Sequence, residues 1–546
     1  MTVETDILII GAGAAGLSAA LAAHESGASV TIIEKQPKLG GTAAISGGII
    51  WAPGNSQMTA HGLTDSREDA MAYFQSLSQG DIDEETLASF VDEASHALTF
   101  LEERDAASFS MLEGYPDYYL DRPGAKPEGG RALDNDLFDF STLGAWADKI
   151  FEHGPAPRMM LRETPLGGGS GQIDPEEMER RTKGDLRGWG QALIGRMLKA
   201  CLERGIEPML GIDGHRLTIE NDRVTGARIT RNGKEESWIA RRGVVIATGG
   251  FEWNEELKQT FLRGPLDAPA SPPGNQGDGL KMAMAAGAGL GNMTSAWWVP
   301  TVSMPGVCWE GGEQRSMPVL IERTLPHSLL VNSTGKRFCN EANNYSALAG
   351  AFHFFDPATY SYPNLPAWLI CDQQYLSRYP IAAHMPGDPL PDWIQSADNL
   401  DALAEKIDVD AGQLVKTVDR FNSHAADAQD PDFGRGTSEY DRFYGDRSRP
   451  GAAATLGAVD SAPYYAVEIR MGALGTNGGA KTNGQAQVLD LDGAPIPGLF
   501  AAGNVISCPT GGVYAGAGGT LGPALTYGHI AGRSAARLAN DTGVEA

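Results

Sequence analysis

The chain's 546 residues exceed a typical single domain several times over, so two domains with a substantial core are expected. Lys and Arg total 43 against 69 Asp and Glu, a formal net charge of -26 that repels a phosphate backbone and excludes nucleic acid as a partner. Five cysteines that never form a CxxC pair indicate neither a disulfide framework nor a zinc cluster.

Residues 6–10 are a short β-branched apolar run, followed by Gly11-Ala12-Gly13-Ala14-Ala15-Gly16 and an Ala-rich stretch at 17–24. That predicts a strand, a tight turn and a helix. No leader pattern precedes this strand, and nowhere do eighteen apolar residues run together, so the expectation is a soluble, cytoplasmic protein without an integral membrane segment. A second strand at 29–33 ends in Glu34, 18 residues beyond Gly16 and followed by Lys35. An acid at about 20 residues is where a ribose-binding carboxylate stands in a βαβ dinucleotide unit. The glycines allow a tight turn, close approach of a pyrophosphate and close helix packing, and the helix N-terminus offers unpaired N–H groups. Gly40-Gly41-Thr42 and Ser46-Gly47-Gly48 make a second small-residue loop near the phosphates.

Apolar residues at helical intervals mark 67–104 as helical scaffold. Residues 115–184, rich in Gly, Pro and charge, read as loops with few helices. Short strand-like runs at 209–212, 216–220, 224–231, 236–239 and 244–247 are separated by Asp213-Gly214, Asn221-Asp222 and Asn232-Gly233, which predicts a β-meander inserted into a parallel sheet. A short helix is expected at 277–287. From 294 to 464 the composition turns aromatic and Pro-rich, with a helix near 402–421. A buried strand at 498–503 and a helix at 520–538 then restore the dinucleotide pattern. The expected fold class is α/β: a Rossmann-like domain with an inserted β-meander over 1–293 and 465–546, and an α+β catalytic domain inserted over 294–464.

Four blocks in order, the 11–16 turn, the 40–48 loop, Ala247-Thr248-Gly249-Gly250 and the 498–504 strand with Gly503 and Asn504, resemble the fumarate-reductase-like flavoproteins. The resemblance implies FAD, with Gly519 and Leu521 at its C-terminal contact. No histidine stands at 40–43 for a covalent flavin bond, so non-covalent FAD is expected. Where dicarboxylate enzymes of that superfamily carry His and then Arg to grip carboxylates, this chain has Tyr514 and Gly518. A carboxylate left unpaired in a dry site is heavily penalised, which points to a neutral ligand.

Within the superfamily, Tyr115-Pro-Asp-Tyr118-Tyr119, the Arg337 to Tyr345 segment, Leu474 to Gly479 and Tyr514 to Gly518 resemble 3-ketosteroid Δ1-dehydrogenases over nearly the whole chain. That family implies a cyclic ketone substrate, foremost a 3-ketosteroid, with an electron acceptor the sequence does not identify. It also implies roles. The Tyr514 hydroxyl and Gly518 N–H polarise the ketone, Tyr345 assisted by Tyr118 removes the α-proton, and flavin N5 accepts the hydride. The chain departs from the family at Asn477, where many members have Lys, and at Ala473, near which they carry an acid. A smaller cyclic ketone and an enoate or dicarboxylate reductase are the alternatives. Trp297 and Trp298 fit core packing as well as a pocket wall.

Overall fold

In the computed structural model, which describes residues 3–152 and 154–538, the N-terminal glycine-rich segment folds as strand Glu4–Ile10, helix Ala14–Glu25 and strand Val30–Glu34. The two strands are parallel, with Ile7 opposite Val30 and Ile10 opposite Ile33. Strand Lys234–Ile246 lies on the other side of Glu4–Ile10, and Pro495–Ala501 lies beyond it, again parallel. Near-continuous apolar strands such as residues 7–10 suit a sheet covered on both faces.

Lys234–Ile246 is one strand where two short ones were expected. Its first half pairs antiparallel with Arg223–Arg231, which pairs with Ile212–Glu220, and its second half joins the parallel sheet. Arg241, midway along the strand, pairs with Asp6 (2.9 Å) and Glu4 (3.1 Å) on the neighbouring strand, so charge and strand coexist. Asn221-Asp222 and Asn232-Gly233 do form turns with positive φ. Asp213-Gly214 does not: it lies inside Ile212–Glu220, where a Cβ on Gly214 would crowd Ile33 at 3.0 Å.

The chain divides into two units. One comprises residues up to Leu262, Ser271–Ala296 and the chain from Gly475; the other comprises Arg263–Ala270 and Trp297–Leu474. Against the boundaries read from sequence, the second unit also takes in 263–270 and runs on to Leu474. Hydrogen bonds account for this, because Ala270 N–H donates to Ala473 O (2.9 Å) and Thr301 Oγ1 to Ala268 O (3.3 Å).

In the first unit, helix Ala14–Glu25 packs against the C-terminal helix Leu521–Arg537 at very short range. A Cβ on Gly528 would lie 2.4 Å from Ala15 O, and one on Gly532 would lie 2.1 Å from Ala19 O. The 67–104 stretch is two helices, Arg67–Leu77 and Glu84–Glu102, each started by a side-chain cap, Ser66 and Asp83. The region read as loops, 115–184, holds the central strand of a small sheet, Gly129–Asn135, flanked by Ile50–Trp51 and Phe109–Glu113 from outside it.

The second unit is built on a six-stranded sheet ordered Gln314–Pro318, Ala296–Cys308, Tyr464–Thr476, Ala367–Asp372, Ser328–Val331, with Ile394–Ala397 also on Tyr464–Thr476. Helices Leu400–Lys406 and Ala411–Ala425 lay Leu403, Leu414, Val418 and Phe421 on Leu329, Val331, Ile370 and Ala466. The single helix expected at 402–421 is therefore two.

Candidate active site

At the carboxyl end of Glu4–Ile10 the three turn glycines divide their work. Gly11 has φ +110°, and a Cβ there would lie 2.3 Å from Ala247 O; one on Gly16 would lie 2.0 Å from Gly11 O. Both are needed for close packing. A Cβ on Gly13 would meet nothing nearer than Gly40 O at 4.0 Å, so this glycine faces open space. Gly13 also caps Ala14–Glu25 without a side-chain hydrogen bond, and the first turn carries no acid. An uncapped helix start beside an open glycine fits a pyrophosphate.

Glu34 is held in place by Ala12 N–H on Oε2 (3.1 Å) and Gln36 N–H on Oε1 (2.9 Å). Burial pushes its carboxyl above the ordinary range. Lys35 pairs with Asp278 at the start of helix Asp278–Ala285. Gly40 N–H donates to Ala12 O (3.0 Å), which ties the second loop to the first. Gly41 and Thr42 open the short helix Gly41–Ile45. Ser46 braces its own turn by donating to Ala43 O and accepting from Gly48 N–H. Gly47 has the Leu161 side chain as its nearest neighbour, and Gly48, at φ +73°, backs directly onto Trp189.

Ala247 N–H continues the sheet to Ile10 O, Gly249 abuts Asn275, and Gly503 sits beside Ala15. A Cβ on Gly475 would lie 2.2 Å from Asn504 Nδ2. The Thr248 hydroxyl is buried with no partner among the described residues. These glycines, the uncapped helix and that orphan hydroxyl fit a dinucleotide. With them, the strand ends bring together the 11–16, 40–42, 247–249 and 503 positions read from sequence.

Behind this cradle stands a residue the sequence reading missed. Glu252 is fully buried and accepts from Ser271 Oγ (2.6 Å), Asn275 Nδ2 (2.7 Å) and Thr476 N–H (3.2 Å). Asn275 Nδ2 also donates to Thr42 Oγ1 (3.0 Å). Burial raises the Glu252 carboxyl, with the donors opposing.

In the same unit, Tyr118 and Tyr514 are buried and their rings stack, 5.8 Å apart and 9° from parallel. Thr520 Oγ1 lies 3.4 Å from the Tyr514 hydroxyl, and Gly519 lies against the Tyr514 ring. Gly518 has φ +94°, and a Cβ there would lie 2.4 Å from Trp51 N, so only glycine fits. Its carbonyl accepts from Trp51 N–H (3.2 Å) and from Gly522 N–H (2.9 Å), at the helix that Leu521 begins. Asp117 accepts from Trp51 Nε1 (2.8 Å) and from Arg131 (2.8 Å), and Arg131 also holds Asp65. Trp51, Asp65 and Arg131 were not singled out in the sequence; Asp117 lay unremarked inside the 115–119 motif.

Tyr345 belongs to the second unit and is also buried. Its loop is clamped by charge. Arg337 makes paired bonds to Glu341 and to Asp430, Arg435 reaches Glu341 at 3.3 Å, and Arg323 donates to the Glu341 and Asn343 carbonyls. Asn344 Oδ1 accepts from Ala347 N–H (2.8 Å), fixing the chain on both sides of Tyr345.

A parallel sheet with a glycine turn at its carboxyl edge and an acid on the next strand defines a dinucleotide-binding oxidoreductase. The family model described as FAD binding domain matches residues 6–521. A 4-oxocyclohexanecarboxylate 2-dehydrogenase of Sinomonas cyclohexanicum is 40% identical over 97% of this chain and 92% of its own length. A 3-oxosteroid 1-dehydrogenase of Mycobacterium tuberculosis is 36% identical over 97% and 98%. Among solved structures, the 3-ketosteroid Δ1-dehydrogenase of Sterolibacterium denitrificans, in complex with 1,4-androstadiene-3,17-dione, superposes with TM-score 0.89 at 34% identity, covering 98% of this chain and 100% of that one. The chain belongs to the FAD-dependent 3-ketosteroid Δ1-dehydrogenase family of the fumarate-reductase-like flavoproteins. It is an FAD-dependent oxidoreductase acting on CH–CH groups. No helix among the described residues is long and apolar enough to cross a membrane.

Proposed function

We propose that the protein desaturates the carbon pair next to the carbonyl of a cyclic ketone. The observation that carries this is the buried Tyr514 phenol, stacked on Tyr118 and lying against Gly519, with Gly518 next in the chain in a buried turn that tolerates no side chain. A phenolic O–H and a backbone N–H aimed at one ketone oxygen stabilise enolate character as it develops. Tyr345 takes the α-proton onto its phenolic oxygen. With an ordinary value of about 10, that phenol needs support to act as a base, and Tyr118 is assigned the support. FAD, bound without a covalent link, supplies the two-electron acceptor for the hydrogen on the neighbouring carbon. The C–H electrons at the α-carbon become the new C=C bond.

The leading substrate is a 3-ketosteroid, supported by the tyrosine motifs and by relatives of that activity. A small cyclic keto acid is the second reading, favoured by the relative at 40% identity. The electron acceptor is a separate small molecule or protein, and the place of action is the cytoplasm. The test is anaerobic titration of the yellow holoenzyme with androst-4-ene-3,17-dione, 4-oxocyclohexanecarboxylate and succinate. One of the ketones should bleach the flavin and thereby choose the ring class. Bleaching by succinate alone would overturn the ketone assignment, and flavin that stays with acid-precipitated protein would overturn non-covalent binding.

A further inference from the structure

Tyr73 lies on helix Arg67–Leu77, wholly buried, and the mechanism above gives it no task. Its hydroxyl donates to Ala515 O (2.7 Å) and accepts from Tyr119 N–H (3.1 Å). Ala515 O also accepts from Tyr118 N–H (3.0 Å). One carbonyl thus joins the segment carrying Tyr118 to the segment carrying Tyr514, and the Tyr73 phenol bonds to both from a third element. Burial, with the charge of Asp117 nearby, pushes this phenol far above its ordinary value, so it stays a donor. Its ring stacks on Trp51 at 6.5 Å, and Trp51 N–H holds the Gly518 carbonyl. Packing alone needs only the ring; the hydroxyl serves the two backbone segments.

We propose that Tyr73 is a positioning residue for the desaturation, holding Tyr118 in place on the Tyr514 ring through its two hydrogen bonds, one from Tyr119 N–H and one to the Ala515 carbonyl that Tyr118 N–H also uses. The inference rests on the reading of Tyr118 and Tyr514 given above. Misplacement of about 1 Å at such a pair costs on the order of 100-fold in rate.

The test is a double-mutant cycle on holoenzyme with Tyr73→Phe, Tyr118→Phe and both, using androst-4-ene-3,17-dione, or 4-oxocyclohexanecarboxylate if that is the ketone that bleaches the flavin. Tyr73→Phe should lower kcat roughly 10- to 100-fold while KM and flavin content stay near wild type. In the Tyr118→Phe background the same change should cost less than about 3-fold, because coupled residues are not additive. A full, independent loss in that background sinks the inference and leaves the role of Tyr118 standing. If Tyr118→Phe alone leaves kcat intact, the reading of Tyr118 falls and takes the inference with it. A Tyr73→Phe protein that no longer takes up FAD, or one that raises KM at unchanged kcat, assigns the hydroxyl to the fold or to binding and equally overturns it.

Discussion

Tyr514 and Tyr345 carry hydroxyls of different purpose, and the same Tyr→Phe change should separate them. Loss of the Tyr514 donor is expected to slow flavin reduction about 100- to 1000-fold, the roughly 3 to 4 kcal/mol of one oxyanion-hole donor. Ketone affinity should drop far less, because the Gly518 N–H still binds the weaker ground-state acceptor. Tyr345→Phe should remove the base at nearly constant volume, costing about 100-fold or more and sparing both FAD and ketone binding. Anaerobic stopped-flow reduction reads both; more than about a tenth of wild-type rate in Tyr345→Phe is incompatible with a base there. Glu252 makes a different prediction. Its oxygens satisfy buried donors, one of which also holds Thr42. Glu252→Gln turns an acceptor into a donor facing donors, which should cost about 1 to 3 kcal/mol. A lower melting temperature and a lower flavin-to-protein ratio after gel filtration are expected; a variant that keeps both unchanged would show the carboxylate to be dispensable.

Between helices Glu84–Glu102 and Leu521–Arg537 sits His529, against the Phe100 ring at 4.5 Å, its Nδ1 buried without a partner among the described residues. Burial, then the charge of Arg533 and Arg104, lowers it to about 4, with Glu93 opposing. The folded chain therefore keeps His529 neutral where the unfolded chain, near 6.5, is already taking up a proton. Its contribution is intact above pH 6.5 and is lost as pH falls through about 4, a loss of up to about 3 kcal/mol. Asp134, raised by burial to about 6, slopes the other way over part of that window. The difference between wild type and His529→Phe isolates the effect, and melting temperature against pH should be flatter between 6.5 and 4 in the variant. Elements of this kind were readable from sequence where the signal was local. The turn glycines and the Asn221-Asp222 and Asn232-Gly233 turns announce themselves within a few residues. Strand Gly129–Asn135 did not, because it buries Arg131, Asp134 and Asn135, and hydropathy reads such residues as exposed. Only the distant Asp65 and the Asp117 loop make a buried Arg131 acceptable, and no window of the sequence contains those partners.

At the scale of the molecule the same rule holds. The cofactor turn and the tyrosine motifs were visible as residue types, whereas Tyr73 meets Ala515 across 442 positions and Glu252 meets Thr476 across 224. The contact of helix Ala14–Glu25 with Leu521–Arg537, through Gly528 and Gly532, is longer still. That contact has a consequence in time. At about 5 to 20 residues per second, ribosomes need roughly 25 to 100 s to make the residues separating the two helices. For that interval an Ala-rich helix and the strand beside it wait with a face uncovered, and strand Pro495–Ala501 is missing from the sheet edge. A slowed or stalled ribosome should therefore prolong that exposure and increase aggregation of the nascent chain long before FAD has a place to bind.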